Sequence, residues 1–327
     1  MGTSGNSLSR NHGLDFLKGI AACLLVFAHV VFPWPYGAFL TYVSTCGVSV
    51  FFMTSGYFSV GKSRKELFHA IRRVALYLLA AYFLYLFKML IANGFEMSHV
   101  LQYLKDRVFT ASHLWKTLVY TQSAICPVAW FLISLLECYT LKLVMGRLLR
   151  YLGILGILVG IIVVLPPISS RMDFPLSNPW IWGIPCFVLG ELLHENEDRL
   201  QVALDRRLLV FICLAGITIN LLARYCGTQW WYIGNLLSAP ALFLLFGGSG
   251  MKFNRFCLLG SVYAFFIYIV HPLVGHFFSQ MRPYPGTLEQ WVRPLVALAV
   301  TILLAIAFYS LKSWMFSRFR QLKSSQQ

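Results

Sequence analysis

The chain has 327 residues, of which 58% are hydrophobic and only 12% charged, with a mean hydropathy of +0.68. A soluble domain carries about 25% charged residues, so the composition excludes an ordinary soluble enzyme and indicates an integral membrane protein. The net charge of +15 would suit nucleic acid, but the placement of the charges removes that reading.

Ten apolar spans are predicted, at 14–33, 37–59, 73–93, 128–146, 151–168, 178–194, 208–223, 232–249, 256–279 and 294–314. The fold class is therefore all-α: a polytopic membrane bundle of about ten transmembrane helices, one domain over 1–327. Residues 1–10 and 315–327 are expected to be flexible tails. With a cytoplasmic N-terminus, most Lys and Arg fall on the inner side, in groups such as Lys62–Arg64–Lys65, Arg72–Arg73, Lys142–Arg147–Arg150 and Lys312–Arg318. Lys105, Arg107, Lys116, Arg171, Arg224, Arg282 and Arg293 fall outside. This is the positive-inside asymmetry, and it places both termini in the cytoplasm. The expected location is a cell (plasma or inner) membrane, with membrane lipid and no nucleic acid as partner.

The first span, Leu14 to Pro33, carries Asp15, Lys18 and His29. In a helix, Lys18 and His29 lie on one face about 16 Å apart, and Asp15 falls on that face one turn below Lys18. Ionisable groups in a membrane-spanning helix face protein or water, so something is bound or transformed along this stripe. The charges within the span, and the lack of a small-residue cleavage site after it, argue against a signal peptide. His29 stands about 21 Å above Asp15, in the outer half of a core about 30 Å thick. A neutral imidazole there can act as general base on an alcohol or amine, or carry an acyl group itself.

Ser55-Gly56-Tyr57 closes the second span, where a glycine between hydroxyls permits close approach of a helix or a ligand. Arg72 and Arg73 open the third span, either as snorkelling anchors or as a phosphate site suited to guanidinium. Lys18 lies at similar depth and can join them. The long connection 94–127 is expected on the outer side with an amphipathic helix (Val100, Leu101, Leu104, Val108). In the fourth span, Glu137 follows Trp130-Phe131-Leu132 near mid-membrane, where a carboxylate is protonated or paired with a cation. Glu191, nearer the inner end of its span, is expected to meet interfacial water. His271, before Pro272, reaches the depth of His29. It either shares a cavity with His29 or bonds the backbone groups that Pro272 frees. The eight cysteines show no CxxC or Cys/His cluster, so no metal is expected, although Cys126 and Cys226 at outer ends are a candidate pair.

Several motifs, in order, resemble the membrane acyltransferase 3 family. They are Lys18 to His29 behind Leu14-Asp15, then Gly47-Val48-Ser49-Val50-Phe51-Phe52-Met53-Thr54-Ser55-Gly56-Tyr57-Phe58, then Arg72-Arg73. Trp130-Phe131-Leu132 follows, and near the end Tyr263-Ala264-Phe265-Phe266-Ile267-Tyr268-Ile269-Val270-His271-Pro272. The resemblance implies an integral membrane O-acyltransferase with His29 catalytic and the basic clusters holding a coenzyme A donor. One departure is visible: the family often places two arginines three apart in the third-span cluster, whereas here His69 precedes Arg72 by three and Arg73 is adjacent. The choice between Arg72 and Arg73 therefore stays open. The candidate set is His29, Asp15, Glu137 and His271 for catalysis, and Lys18, Arg72, Arg73, Ser55, Gly56, Tyr57 and Trp130 for the donor. The expected reaction moves an acyl group, expected to be acetyl, from cytoplasmic acyl-coenzyme A (acetyl-CoA) to a hydroxyl of a cell-envelope glycan or lipid-linked sugar. A separate outer-side partner is the alternative to completion of transfer by this chain alone. The rival class is a transporter of a small polar solute such as serine, because the second-span motif also resembles the membrane half of certain serine racemases.

Overall fold

In hydrocarbon a backbone must satisfy its own hydrogen bonds, and a run of apolar residues does so as helix. The computed structural model describes residues 11–165, 178–280 and 287–324. It is 84% helical, with no strand among the described residues. The helices are α1 (His12–His29), α2 (Tyr36–Tyr57), α3 (Arg64–Ala92), α4 (Met97–Tyr103), α5 (Ala111–Tyr120), α6 (Ala129–Met145) and α7 (Leu149–Val163). They continue as α8 (Ile184–Glu195), α9 (Glu197–Ala203), α10 (Arg206–Tyr225), α11 (Trp231–Gly247), α12 (Arg255–Leu258), α13 (Ala264–Gln280) and α14 (Leu288–Ser324).

Seven helical stretches among the described residues are long and apolar enough to cross a membrane: His12–His29, Tyr36–Tyr57, Arg64–Ala92, Ala129–Val163, Arg206–Ala223, Arg255–Phe278 and Leu288–Met315. The chain is a multi-pass membrane protein. The stretch Ala129–Val163 contains two of the ten expected spans, as α6 and α7 joined by a short 3-10 turn, Gly146–Leu148. Trp231–Gly247 is apolar but shorter, and the expected span 178–194 is a π-helical turn, Pro179–Gly183, leading into α8. Residues 315–324, expected to be part of a tail, continue α14 as helix. Residues 1–10 and 325–327, with Arg171 and Arg282, lie outside the described residues.

Helix starts follow local chemistry. The Asn11 side chain accepts the Leu14 N–H at 3.1 Å and caps α1, while Ser63 and Glu66 form a reciprocal capping box at the head of α3. The connection 94–127 is helical at α4 and α5, and between them lies a π-helical turn, Leu104–Val108.

The chain divides into two units: residues 1–47, 206–210 and 241–327, and residues 48–205 and 211–240. In the first, α1 packs against α12, the π-helical turn Leu259–Tyr263 and α13. A Cβ on Gly260 would lie 1.8 Å from the Asp15 carbonyl oxygen, and one on Gly19 would lie 2.6 Å from that of Phe256. The two helical runs therefore touch backbone to backbone, which fixes the register between the residues of α1 and those of α13.

In the second unit the same device joins α2 to α8. A Cβ on Gly56 would meet the Phe187 carbonyl oxygen at 1.8 Å, and one on Gly190 the Met53 carbonyl oxygen at 1.9 Å. Around this crossing Phe52, Leu132, Leu135 and Phe187 are fully buried. Trp182 Nε1 donates to Ser49 Oγ at 2.8 Å.

Gly190→Val must force the α2–α8 crossing apart, an overpacking cost of about 1–3 kcal/mol. Thermal unfolding in detergent should show a lowered midpoint, and an unchanged midpoint would contradict backbone contact at Gly190.

Candidate active site

His29 is the last residue of α1 and His271 lies within α13, both in the first unit. Their ring centroids are 4.8 Å apart with planes inclined at 58°. His271 is 1% exposed, whereas His29 is exposed. His271 Nδ1 stands 3.1 Å from the Ile267 carbonyl oxygen, and the ring also bonds the backbone of Tyr268, whose carbonyl loses its helical donor at Pro272. The structure thus places His271 against the His29 ring and on the backbone beside the proline.

The hydrogen bond decides the tautomer. A carbonyl only accepts, so Nδ1 carries the proton and Nε2 presents a lone pair. Nε2 is buried without a hydrogen-bond partner among the described residues. A neighbouring imidazole N–H can donate to that lone pair, which leaves the second nitrogen of the neighbour as a base. No side chain crowds His29 from Gly275, where even an added Cβ would stand 3.5 Å from the His29 Cβ.

Asp15 and Lys18 sit at the other end of α1. Asp15 is 4% exposed, and its Oδ1 lies 2.9 Å from Lys18 Nζ. Pairing of this kind is what permits charges on an otherwise apolar helix.

The second unit holds the basic cluster. Arg72 and Arg73 are both exposed on the first part of α3. A concavity of about 380 Å³ there is lined by Lys62, Lys65, Glu66, His69, Ala70 and Arg73. Arg72 is not in the lining, for a reason of helix geometry. Lys65, His69 and Arg73 follow at steps of four and form one stripe, while Arg72 is turned about 100° from Arg73. Glu66 directs its Oε2 to the cap, accepting from the Ser63 N–H at 2.8 Å and from Ser63 Oγ at 2.7 Å. His69 Nδ1 lies 2.6 Å from the Lys65 carbonyl oxygen. Burial, then the charge of Arg73, hold the Lys62 ammonium below the usual lysine range, with Glu66 opposing. Cations pressed together in one concavity gain from binding a phosphate, which guanidinium and ammonium both accept.

The remaining candidates lie elsewhere in the second unit. Ser55 Oγ donates to the Phe51 carbonyl at 2.9 Å, Gly56 sits in the α2–α8 crossing, and the Tyr57 hydroxyl donates to Glu197. The Trp130 ring packs 5.8 Å from that of Trp182 and 6.4 Å from that of Phe52. Glu137 Oε2 is buried without a hydrogen-bond partner among the described residues.

Glu191 requires a correction. Expected at interfacial water, it is fully buried, with Oε1 2.7 Å from Lys142 Nζ and 3.0 Å from Ser59 Oγ. Its partners come from α6 and from the turn after α2, contacts that position along α8 does not reveal. Cys126, buried, and Cys226, exposed, are free thiols. No group of three or more His, Cys, Asp or Glu among the described residues is placed to hold a metal ion.

A protein-family model described as an acyltransferase domain matches residues 11–310. No curated protein and no solved structure matches the chain.

The contrast in burial between the two histidines is open to chemical test. Diethyl pyrocarbonate should modify His29 in the folded protein well before His271, read by mass spectrometry of digests. Equal rates would contradict the burial of His271.

Proposed function

Since the chain belongs to the acyltransferase 3 family and is a membrane acyltransferase, we propose that its donor is acyl-coenzyme A, acetyl-CoA in the simplest case, taken from the cytoplasmic side of the cell membrane. The acceptor is a hydroxyl of a cell-envelope glycan or lipid-linked sugar. The observation that carries this reading is the packing of His29 against His271, whose buried Nε2 makes no hydrogen bond among the described residues.

In this reading a turn of the His29 ring, already packed on that of His271, aims one ring N–H at His271 Nε2 and leaves its second nitrogen as an acceptor. That nitrogen takes the proton of the acceptor hydroxyl as the oxygen attacks the thioester carbonyl carbon. A C–O bond forms, the tetrahedral intermediate collapses with cleavage of the C–S bond, and the proton on His29 passes to the departing sulfur. The products are one ester and one thiol, and His29 is restored. General-base assistance of this kind contributes about 10²–10⁴-fold. His271 spreads the positive charge that His29 gains, the orienting role that the third member plays in a catalytic triad.

The donor's phosphates are assigned to Lys62, Lys65, His69 and Arg73, with Arg73 rather than Arg72 as the arginine contact. Lys18, held by Asp15, orders the face of α1 that leads to His29. The positive-inside asymmetry supports a cytoplasmic position for this basic cluster and for both termini.

His29→Ala should lower acyl incorporation into envelope sugars by at least about 100-fold, at unchanged protein level in the membrane. Full activity would remove His29 from the reaction. Binding of acetyl-CoA to the purified protein separates this reading from a solute carrier, which has no use for a thioester.

Donor affinity should also fall as pH rises, because phosphate binding needs the Lys62 ammonium. Since that ammonium is held below the ordinary lysine range, the fall should begin below about 10.4, the ordinary lysine value. Lys62→Arg stays charged and should flatten the decline. An identical pH profile in the variant would exclude Lys62 from the donor site.

A further inference from the structure

We infer that Glu191 is a positioning residue for the basic concavity, holding the Ser59–Lys62 turn and so the ammonium of Lys62 in place. The inference rests on the reading of that concavity as the donor's phosphate site. Glu191 itself is not in the lining, so it acts through the turn.

The path from Glu191 to Lys62 is short and starts from a buried contact. The crossing of α2 and α8 sets Gly190 against the Met53 carbonyl and Gly56 against the Phe187 carbonyl. This brings Glu191, next to Gly190, beside Ser59, three residues beyond Gly56. Ser59 is 1% exposed, and its hydroxyl lies 3.0 Å from Glu191 Oε1 and 2.7 Å from the Gly56 carbonyl oxygen. The turn closes through two backbone bonds: the Ser59 N–H donates to the Gly56 carbonyl at 2.9 Å, and the Lys62 N–H donates to the Ser59 carbonyl at 3.3 Å. Lys62 is thus two links from the carboxylate.

Charge explains why a carboxylate stands here. A buried anion needs a cation, and Lys142 from α6 supplies it at 2.7 Å with its side chain 15% exposed. The pair joins α6 to α8, and the Ser59 hydroxyl adds the C-terminal end of α2. The single Ser59 hydroxyl proton is shared between the Gly56 carbonyl and the carboxylate, and a charged acceptor draws it more strongly than a neutral one, so the carboxylate grips the turn more firmly than an amide. Arg73 approaches the concavity from α3, independently of this clamp. Loss of the clamp should therefore displace Lys62 and leave Arg73 in place, weakening donor binding without disturbing the chemistry at His29.

The test compares the full-length protein with Glu191→Gln and with Ser59→Ala, all in lipid nanodiscs. Ser59→Ala leaves the Glu191–Lys142 pair whole and keeps the question open should Glu191→Gln fail to fold. Hydrogen exchange of the amides of residues 59–62 is read beside steady-state kinetics with acetyl-CoA. In each folded variant the turn should exchange faster, and the KM for acetyl-CoA should rise about tenfold with kcat within about twofold, the tenfold corresponding to about 1.4 kcal/mol. Wild-type exchange in the turn together with wild-type KM in Ser59→Ala would overturn the inference. So would a fall in kcat at unchanged KM. Should the wild-type protein bind no acetyl-CoA, the donor reading fails by itself, and exchange in the turn alone decides the positioning role.

Discussion

The hydrogen bond between His271 Nδ1 and the Ile267 carbonyl is the contact from which the catalytic account follows. It joins a side chain to the helix that carries it, and it sits one residue before a proline that deprives the Tyr268 carbonyl of its usual donor. Because a carbonyl can only accept, the bond settles which nitrogen bears the proton. The other nitrogen is left as a buried acceptor in a ring packed against His29. Buried polar atoms are normally paired, and the proposed reaction gives this one a use beside the exposed imidazole of His29. It can hold that imidazole in one tautomer and share the charge that acid–base catalysis places on it.

Each unit sets its candidate side chains by the same packing device. Where glycines remove Cβ atoms, helix backbones come into direct contact and their register is fixed along the length of the helices. Gly19 and Gly260 do this for α1 and the run that ends in α13, and Gly56 and Gly190 do it for α2 and α8. The polar residues then fall where they find partners: Lys18 on Asp15, and Glu191 on Lys142 and Ser59. At the α2–α8 crossing close backbone packing also sets Ser59 beside Glu191, whereas the Asp15–Lys18 pair is made within α1.

Much of this was legible in the sequence because it is local or periodic. The all-α membrane fold follows from composition and from apolar runs. The expected depths of His29 and His271 come from helix rise alone, and their rings are in contact in the structure. The stripe Lys65, His69, Arg73 was also present as a four-residue spacing, although Lys62 joins it only through the turn after α2. Glu191 was misread because its environment is set by other helices. Its cation is 49 positions earlier by number, on α6, and had the look of one more positive-inside anchor. The helical continuation of α14 through 315–324 was hidden by the polar, Ser- and Gln-containing composition of that end, since polarity marks where a span leaves hydrocarbon rather than where a helix stops.

The most direct measurement of the central claim is the protonation pattern of His271 in a lipid bilayer. Solid-state NMR of the protein labelled with ¹⁵N-histidine, with the resonance assigned by its loss in His271→Asn, reports each ring nitrogen separately. The account predicts a protonated Nδ1 and a bare Nε2. A proton on Nε2, alone or together with one on Nδ1, would contradict it.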